Sequence, residues 1–137
     1  MRLVFLDKQE PYILFVEDQP DIRDAFVLSF RGRGCQVISV ASGEEALEKV
    51  SHLPSLPQAI VSDFCLGDDE TGLEVIASVR SALGATVPSV LLSGDTSPDT
   101  LKQLYDGNVQ CSDVAVLHKP VRYADVREAI ESLGVAL

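Results

Sequence analysis

The sequence predicts an α/β domain in which five βα units in series wind into one parallel sheet covered by helices on both faces. Two observations carry that expectation. Short apolar runs alternate along the chain with longer segments of helical period. The runs are also unbroken rather than alternating with polar residues, which marks strands buried on both faces, as in parallel sheets with right-handed crossovers. At 137 residues the chain has the length of one domain and enough material for a core without disulfide or metal staples.

The elements follow in order. Tyr12-Ile13-Leu14-Phe15-Val16 is the first strand. Pro20 suits the first turn of a helix, where its missing N–H costs nothing, and Ile22, Phe26, Val27 and Phe30 fall on one face of that helix before Gly32 and Gly34 stop it. Gln36 to Val40 is the second strand. Ser42 with Glu45 forms a capping box for a second helix that turns Ala46, Leu47 and Val50 inward. After Pro54 and Pro57, Ala59-Ile60-Val61 is a third strand running into Ser62-Asp63. Thr71 with Glu74 is a second capping box, followed by Leu73, Ile76, Val79 and Leu83 at helical spacing. Val87 to Leu92 is the fourth strand, and Ser97-Pro98 opens a fourth helix with Leu101 and Leu104 inward. Val114 to Leu117 is the fifth strand; Val126, Ile130 and Leu133 mark a fifth helix that stops near Gly134. Residues 1–10 read as a leader, either an upstream linker or an added strand, and residues 11–137 as the domain.

Charge and cysteine usage exclude several classes. Eleven Lys and Arg against 21 Asp and Glu give a net charge of −10, which lacks the basic surplus of a phosphate-backbone binder, so no nucleic-acid partner is expected. No apolar run approaches the ~20 residues that span a bilayer, and no membrane contact is expected. Cys35, Cys65 and Cys111 are odd in number and lack metal-ligand spacing; they read as reduced thiols of a cytoplasmic protein.

In an open α/β sheet ligands bind outside the carboxyl ends of the strands, at the point where strand order reverses. The residues following each run are therefore the candidate site. The first strand ends in Glu17-Asp18, the third in Asp63, the fourth in Ser93-Gly94 and the fifth in His118-Lys119-Pro120. Three neighbouring carboxylates repel unless a cation joins them, and oxygen-only ligation favours Mg²⁺. Asp18 and Asp63 are the candidate direct ligands, with Glu17 acting through water. Asp63, between the acidic pair and Ser93, is the candidate nucleophile toward phosphorus; Lys119 and Ser93 would hold the transferred phosphoryl oxygens. Taken singly each has a plainer reading: a strand-end or cap pair for Glu17-Asp18, a turn for Ser93, a surface charge for Lys119. Only the constellation raises them. His52 and His118 read as structural, Cys65 as a small apolar filler, and Asp68-Asp69-Glu70 as a solvated loop.

Glu17-Asp18, Asp63, Ser93 and Lys119-Pro120, in this order over five βα units, resemble the receiver domain of two-component response regulators across residues 11–134. The resemblance implies a doubly wound, flavodoxin-like fold with sheet order 2-1-3-4-5, and transfer of a phosphoryl group to Asp63 from a histidine kinase or a histidine phosphotransfer protein. It implies Mg²⁺ on Asp18, Asp63 and the backbone carbonyl of Cys65, coupling to the surface through Ser93 and Lys119, and a cis Lys119-Pro120 bond. It implies a phosphoacceptor with self-dephosphorylation rather than an ordinary enzyme, met by its phosphodonor at the first helix and nearby loops. Val121 and Tyr123 would add to a docking face or a weak homodimer. More narrowly, Ser62-Asp63-Phe64-Cys65-Leu66, Thr71-Gly72-Leu73-Glu74, Leu91-Leu92-Ser93-Gly94-Asp95-Thr96 and Leu117-His118-Lys119-Pro120-Val121 resemble receivers at the C-terminus of hybrid sensor histidine kinases.

The sequence departs from the family pattern at Val116, where many receivers carry an aromatic switch residue, at Gly67, which replaces a frequent proline, and in a slightly longer loop from Asp63 to Gly72. The alternatives are a stand-alone receiver, a degenerate receiver that binds partners without phosphorylation, and a haloacid-dehalogenase-type phosphatase. The last wants a second aspartate two residues after its nucleophile, where this chain has Pro20 after Asp18.

Overall fold

A computed structural model describes residues 11–30, 35–67, 69–94 and 113–137. Five strands form a parallel sheet of order β2-β1-β3-β4-β5: β1 (Tyr12–Val16), β2 (Gln36–Val40), β3 (Ala59–Asp63), β4 (Ser89–Ser93) and β5 (Val114–His118). The described helices are α1 (Pro20–Phe30), α2 (Gly43–Ser51), α3 (Gly72–Leu83) and α4 (Tyr123–Ser132). The expected winding and strand order are both present. The expected leader, the stop at Gly32 and Gly34, and the helix opening at Ser97-Pro98 lie outside the described residues.

The unbroken runs are buried for the expected reason. All residues of β1, β3 and β4 are buried, whereas β2, at the sheet edge, is partly exposed. Side chains alternate between two cores. Tyr12, Leu14, Val16, Ile60 and Leu91 face α2 and α3, where Ala46, Val50, Leu73, Ile76 and Val79 meet them. Ile13, Phe15, Val61, Val90 and Leu92 face α1 and α4, against Phe30, Val126 and Ile130. On that second face Phe15 stacks on Phe26 with ring centroids 3.9 Å apart, Phe26 on Phe30 at 4.8 Å, and Phe30 meets Tyr123 edge-on at 4.5 Å.

Helix ends account for most local departures. The Thr71–Glu74 box forms in full: Thr71 Oγ1 accepts the Glu74 N–H at 3.2 Å and Glu74 Oε1 accepts the Thr71 N–H at 3.0 Å. At α2, Ser42 accepts the Glu45 N–H, but the second acid comes from Glu70, whose Oε1 accepts the Gly43 N–H at 2.9 Å. Glu70 is thus half-buried and bonded rather than part of a solvated loop. Leu47, expected inward, is 37% exposed: the buried stripe of α2 is Gly43, Ala46 and Val50, and Leu47 lies ~100° around the helix from Ala46. Ile22, on the first turn of α1, is likewise 37% exposed and borders a groove against α4. The fourth strand starts at Ser89 rather than Val87, and the fifth runs one residue further, to His118.

Arg80 is a buried charge away from the strand-end carboxylates. From the last turn of α3 its Nε donates to Val87 O at 3.0 Å, and its NH2 to Asp113 O at 3.1 Å and Ser89 Oγ at 3.3 Å. It thereby ties the entries of β4 and β5 to α3, at the end of the sheet opposite the strand-end carboxylates.

Candidate functional site

Glu17 and Asp18 follow β1, Asp63 ends β3, Ser93 ends β4 and Lys119 follows β5, so the expected residues meet on one edge of the sheet. Strand order reverses between β1 and its neighbours, and the edge of β1 and β3 is the switch point. One carboxylate oxygen from each of Glu17, Asp18 and Asp63 lies within 4.8 Å of the others. Asp63 is buried, 8% exposed, and its Oδ1 pairs with Lys119 Nζ at 2.6 Å. Ser93 is buried, and its carbonyl accepts the Lys119 N–H at 2.9 Å, which closes the β4–β5 ladder directly under the lysine. The Lys119-Pro120 peptide is cis, as the resemblance implies.

Glu17 carries the electrostatic tension of the site. It is 1% exposed; its Oε2 accepts the Gln19 N–H at 3.2 Å, while its Oε1 has no hydrogen-bond partner. Burial raises its pKa to about 7, with the neighbouring carboxylates of Asp18 and Asp63 adding to the shift and the Gln19 N–H and Lys119 opposing it. An orphaned buried carboxylate oxygen beside two further carboxylates is a donor set that fits a hard dication.

The loop after Asp63 folds back as a narrow hairpin. Leu66 N–H donates to Glu70 O at 3.0 Å and Gly72 N–H to Phe64 O at 2.7 Å, bracketing the antiparallel bridge of Cys65 with Thr71. In such a narrow pair the bridged residues turn their own N–H and C=O away from each other. The Cys65 carbonyl is therefore left to face outward from the hairpin, and Phe64 and Leu66 beside it are buried anchors. Gly72 is required by close approach, since a Cβ there would strike Asp63 O and come within 2.8 Å of Ser62 Oγ. The Cys65 side chain is exposed and free, so it does not fill space beside the site as the small apolar filler expected.

Some contributors carry no sequence signal of their own. Arg23, one turn into α1, donates from NH1 to the Glu17 carbonyl at 2.8 Å and holds the β1–α1 loop. Glu70 reads as one of three loop acids until its contact with Gly43 is seen. His118 is exposed, and Val116 is half-buried against the α2/α3 core. A groove of about 270 Å³ between α1 and α4 runs past Lys119 and is walled by Ile22, Ala25, Phe26, Ser29, Val121 and Tyr123. Among the described residues, no helix is long and apolar enough to cross a membrane.

Comparison with known proteins agrees with this geometry. The family described as the response regulator receiver domain matches residues 13–131. The two-component response regulator ORR3 of Oryza sativa subsp. indica is 31% identical over 118 residues, covering 85% of this chain and 86% of the relative. The transcriptional regulatory protein KdpE of Mycobacterium tuberculosis is 31% identical over 94 residues, 69% of this chain and 39% of its own length. Among solved structures, the chemotaxis protein CheY4 of Vibrio cholerae superposes with a TM-score of 0.73 at 24% identity, covering 91% of this chain and 99% of that one. A response regulator receiver protein from Pseudomonas putida gives 0.73 at 23% identity, covering 91% and 98%; at these identities the likeness speaks for the fold alone. With a family match over most of its length, and with its acidic edge and lysine at the strand ends, the chain belongs to the response regulator receiver domain family.

Proposed function

We propose that this receiver accepts a phosphoryl group on Asp63 from a phosphohistidine, supplied by a histidine kinase or a histidine phosphotransfer protein, and so switches a two-component relay. The observation that supports this most is the buried Asp63 carboxylate, held by Lys119 at 2.6 Å beside Glu17 and Asp18. In the transfer an Asp63 carboxylate oxygen attacks phosphorus, the phosphorus–nitrogen bond breaks, and the imidazole leaves with the bonding pair. Asp18, Asp63 and the Cys65 carbonyl would hold Mg²⁺, with Glu17 acting through water. When bound, the ion neutralises charge on the transferring phosphoryl oxygens. Lys119 moves from Asp63 Oδ1 to a phosphoryl oxygen of the product, and Ser93, whose carbonyl is bonded to the Lys119 N–H, takes another.

The phosphodonor fits the groove between α1 and α4, because that groove opens beside Lys119 and offers apolar walls to a helical partner. The stretches around Asp63, Thr71, Ser93 and Lys119 favour the cytoplasmic receiver of a hybrid sensor kinase as the setting. Val116 favours a second reading, a receiver that binds partners without phosphorylation. The Asp63–Lys119 pair weighs against it, since a binding module has no use for a buried carboxylate aimed at a lysine.

Amide shifts on adding Mg²⁺ and beryllofluoride, with Asp63→Asn as control, test the assignment. Shifts at Asp63, Ser93 and Lys119 that vanish in the variant are expected. Persistent shifts in Asp63→Asn would overturn Asp63 as acceptor; silence in the wild type, with Mg²⁺ itself unbound, would select the binding module.

A further inference from the structure

The extended loop between Asp63 and α3 is fastened at a point the phosphoacceptor site does not itself explain. Glu70 Oε1 accepts the N–H of Gly43, the first residue of α2, at 2.9 Å. Ser42 serves the Glu45 N–H of the same helix, so the two side chains satisfy two of the free donors of α2. The next residue, Thr71, caps α3. Two consecutive residues of the returning strand therefore sit on two different helix N-termini, where carboxylate and hydroxyl oxygens are favoured by the exposed N–H groups and the helix dipole. The outgoing strand hangs on this returning strand: Leu66 N–H binds Glu70 O, Gly72 N–H binds Phe64 O, and Cys65 is bridged to Thr71. Between them lies the turn at Gly67, with φ at +102°. The placement of the Cys65 carbonyl thus depends on what holds residues 70 and 71, together with the buried anchors Phe64 and Leu66. The fit at Gly43 is close, since a Cβ there would meet Glu70 Oε2 at 2.5 Å.

We propose that Glu70 is a positioning residue for divalent-cation binding: by capping α2 it holds the hairpin that presents the Cys65 carbonyl beside Asp63. The inference rests on the reading of the Asp63 site given above. Its physical content is that the reach of the Glu70 carboxylate to Gly43 matters and its charge does not. Glu70→Gln keeps an acceptor oxygen at the same reach and removes the charge. Glu70→Asp keeps the charge and falls short by one methylene. Glu70→Ala loses both.

The test is titration of the full chain and these variants with Mg²⁺ alone, followed by amide shifts, with thermal unfolding measured in parallel. Glu70→Ala and Glu70→Asp are expected to weaken Mg²⁺ binding by on the order of tenfold, the usual scale for a group that orients a metal ligand. Glu70→Gln is expected to bind as the wild type does. A residue that merely supports the fold would lower the unfolding temperature and leave the Mg²⁺ affinity of the folded protein unchanged, and that result overturns the proposal. Weak binding by Glu70→Gln together with normal binding by Glu70→Asp also overturns it, because charge and not reach would then be responsible. If Glu70→Ala does not fold, the Gln and Asp variants decide alone. A wild type that binds no Mg²⁺ overturns the reading of the site itself, and this inference with it; a wild type that binds while no variant differs overturns only the role of Glu70.

Discussion

Replacing Glu17 by Gln should stabilise the metal-free protein and remove much of its response to Mg²⁺. Glu17 is buried with one oxygen orphaned, and its carboxyl is pushed up to about 7 from an ordinary 4.5. A raised acid is one whose protonated form the fold prefers. Its contribution to stability is therefore fully present below about pH 4.5 and lost as pH rises through about 7. A shift of that size would correspond to roughly 3 kcal/mol at most. Gln keeps an acceptor for the Gln19 N–H but carries an amide that also needs partners, so a net gain of about 1–2 kcal/mol is the reasonable expectation. At roughly 4 °C per kcal/mol for a domain of this size, the unfolding midpoint in chelator should rise by about 4–8 °C at pH values above neutrality.

The assay is thermal unfolding of wild type and Glu17→Gln, in chelator and in excess Mg²⁺, across pH. In chelator the advantage of the variant should shrink toward zero as pH falls below about 4.5, where wild-type Glu17 is protonated in both states. In Mg²⁺ the wild type should recover most of the difference, because a ligand bound only by the folded state stabilises it by mass action. A variant less stable than wild type in chelator above neutrality, or an advantage independent of pH, would refute the burial argument. An undiminished Mg²⁺ response in the variant would remove Glu17 from the cation site.

Other changes have equally definite expectations. Lys119→Ala should leave Mg²⁺ binding in place while abolishing the beryllofluoride-induced amide shifts that run from β5 into α4; persistence of those shifts counts against Lys119 as the coupling group. Arg80→Leu deletes the charged donors to Val87 O, Ser89 Oγ and Asp113 O, while Val87 O keeps the Ser89 hydroxyl and Asp113 O keeps the Ser89 N–H; a loss of about 1–3 kcal/mol is expected from urea unfolding, with phosphoryl acceptance unchanged in the folded fraction. Thr71→Ala removes one half of the α3 capping box and should cost about 1 kcal/mol in the same measurement.

Much of this was legible in the sequence because the signals are local. Unbroken runs such as Tyr12–Val16 announce strands buried on both faces, and Thr71 with Glu74 announces a helix start from four residues alone. The strand-end acids and Lys119 were legible because topology assigns every strand end to one edge. What escaped depends on contacts between distant segments. Glu70 caps a helix 27 residues earlier in the chain, and nothing in Asp68-Asp69-Glu70 distinguishes the third acid from the first two. Leu47 was misplaced because neighbouring apolar residues on a short helix compete for one stripe, and the position of α3 decides which of them is covered. Arg23 reaches a backbone carbonyl, an acceptor that every residue offers and no sequence marks.

The site itself is a consequence of register more than of any single residue. Val16 pairs with Ser62, Asp63 with Leu92, and Ser93 with His118. Glu17, Asp63, Ser93 and Lys119 thus stand within about a residue of one another along the sheet edge, close enough for a 2.6 Å ion pair and a cluster of three carboxylates. Side chains alternate along each strand, so slipping β3 by one residue would bring Ser62 to the position of Asp63 and turn the acid toward the opposite core. Such a slip is opposed by the packing: Ile60 and Val61 are fully buried in different apolar cores, and it would exchange them and carry the carboxylate toward apolar side chains. The apolar runs therefore do more than make a sheet. By fixing which core each residue enters, they set the distance between Asp63 and Lys119, and the chemistry of the edge follows from the packing of apolar side chains that take no part in it.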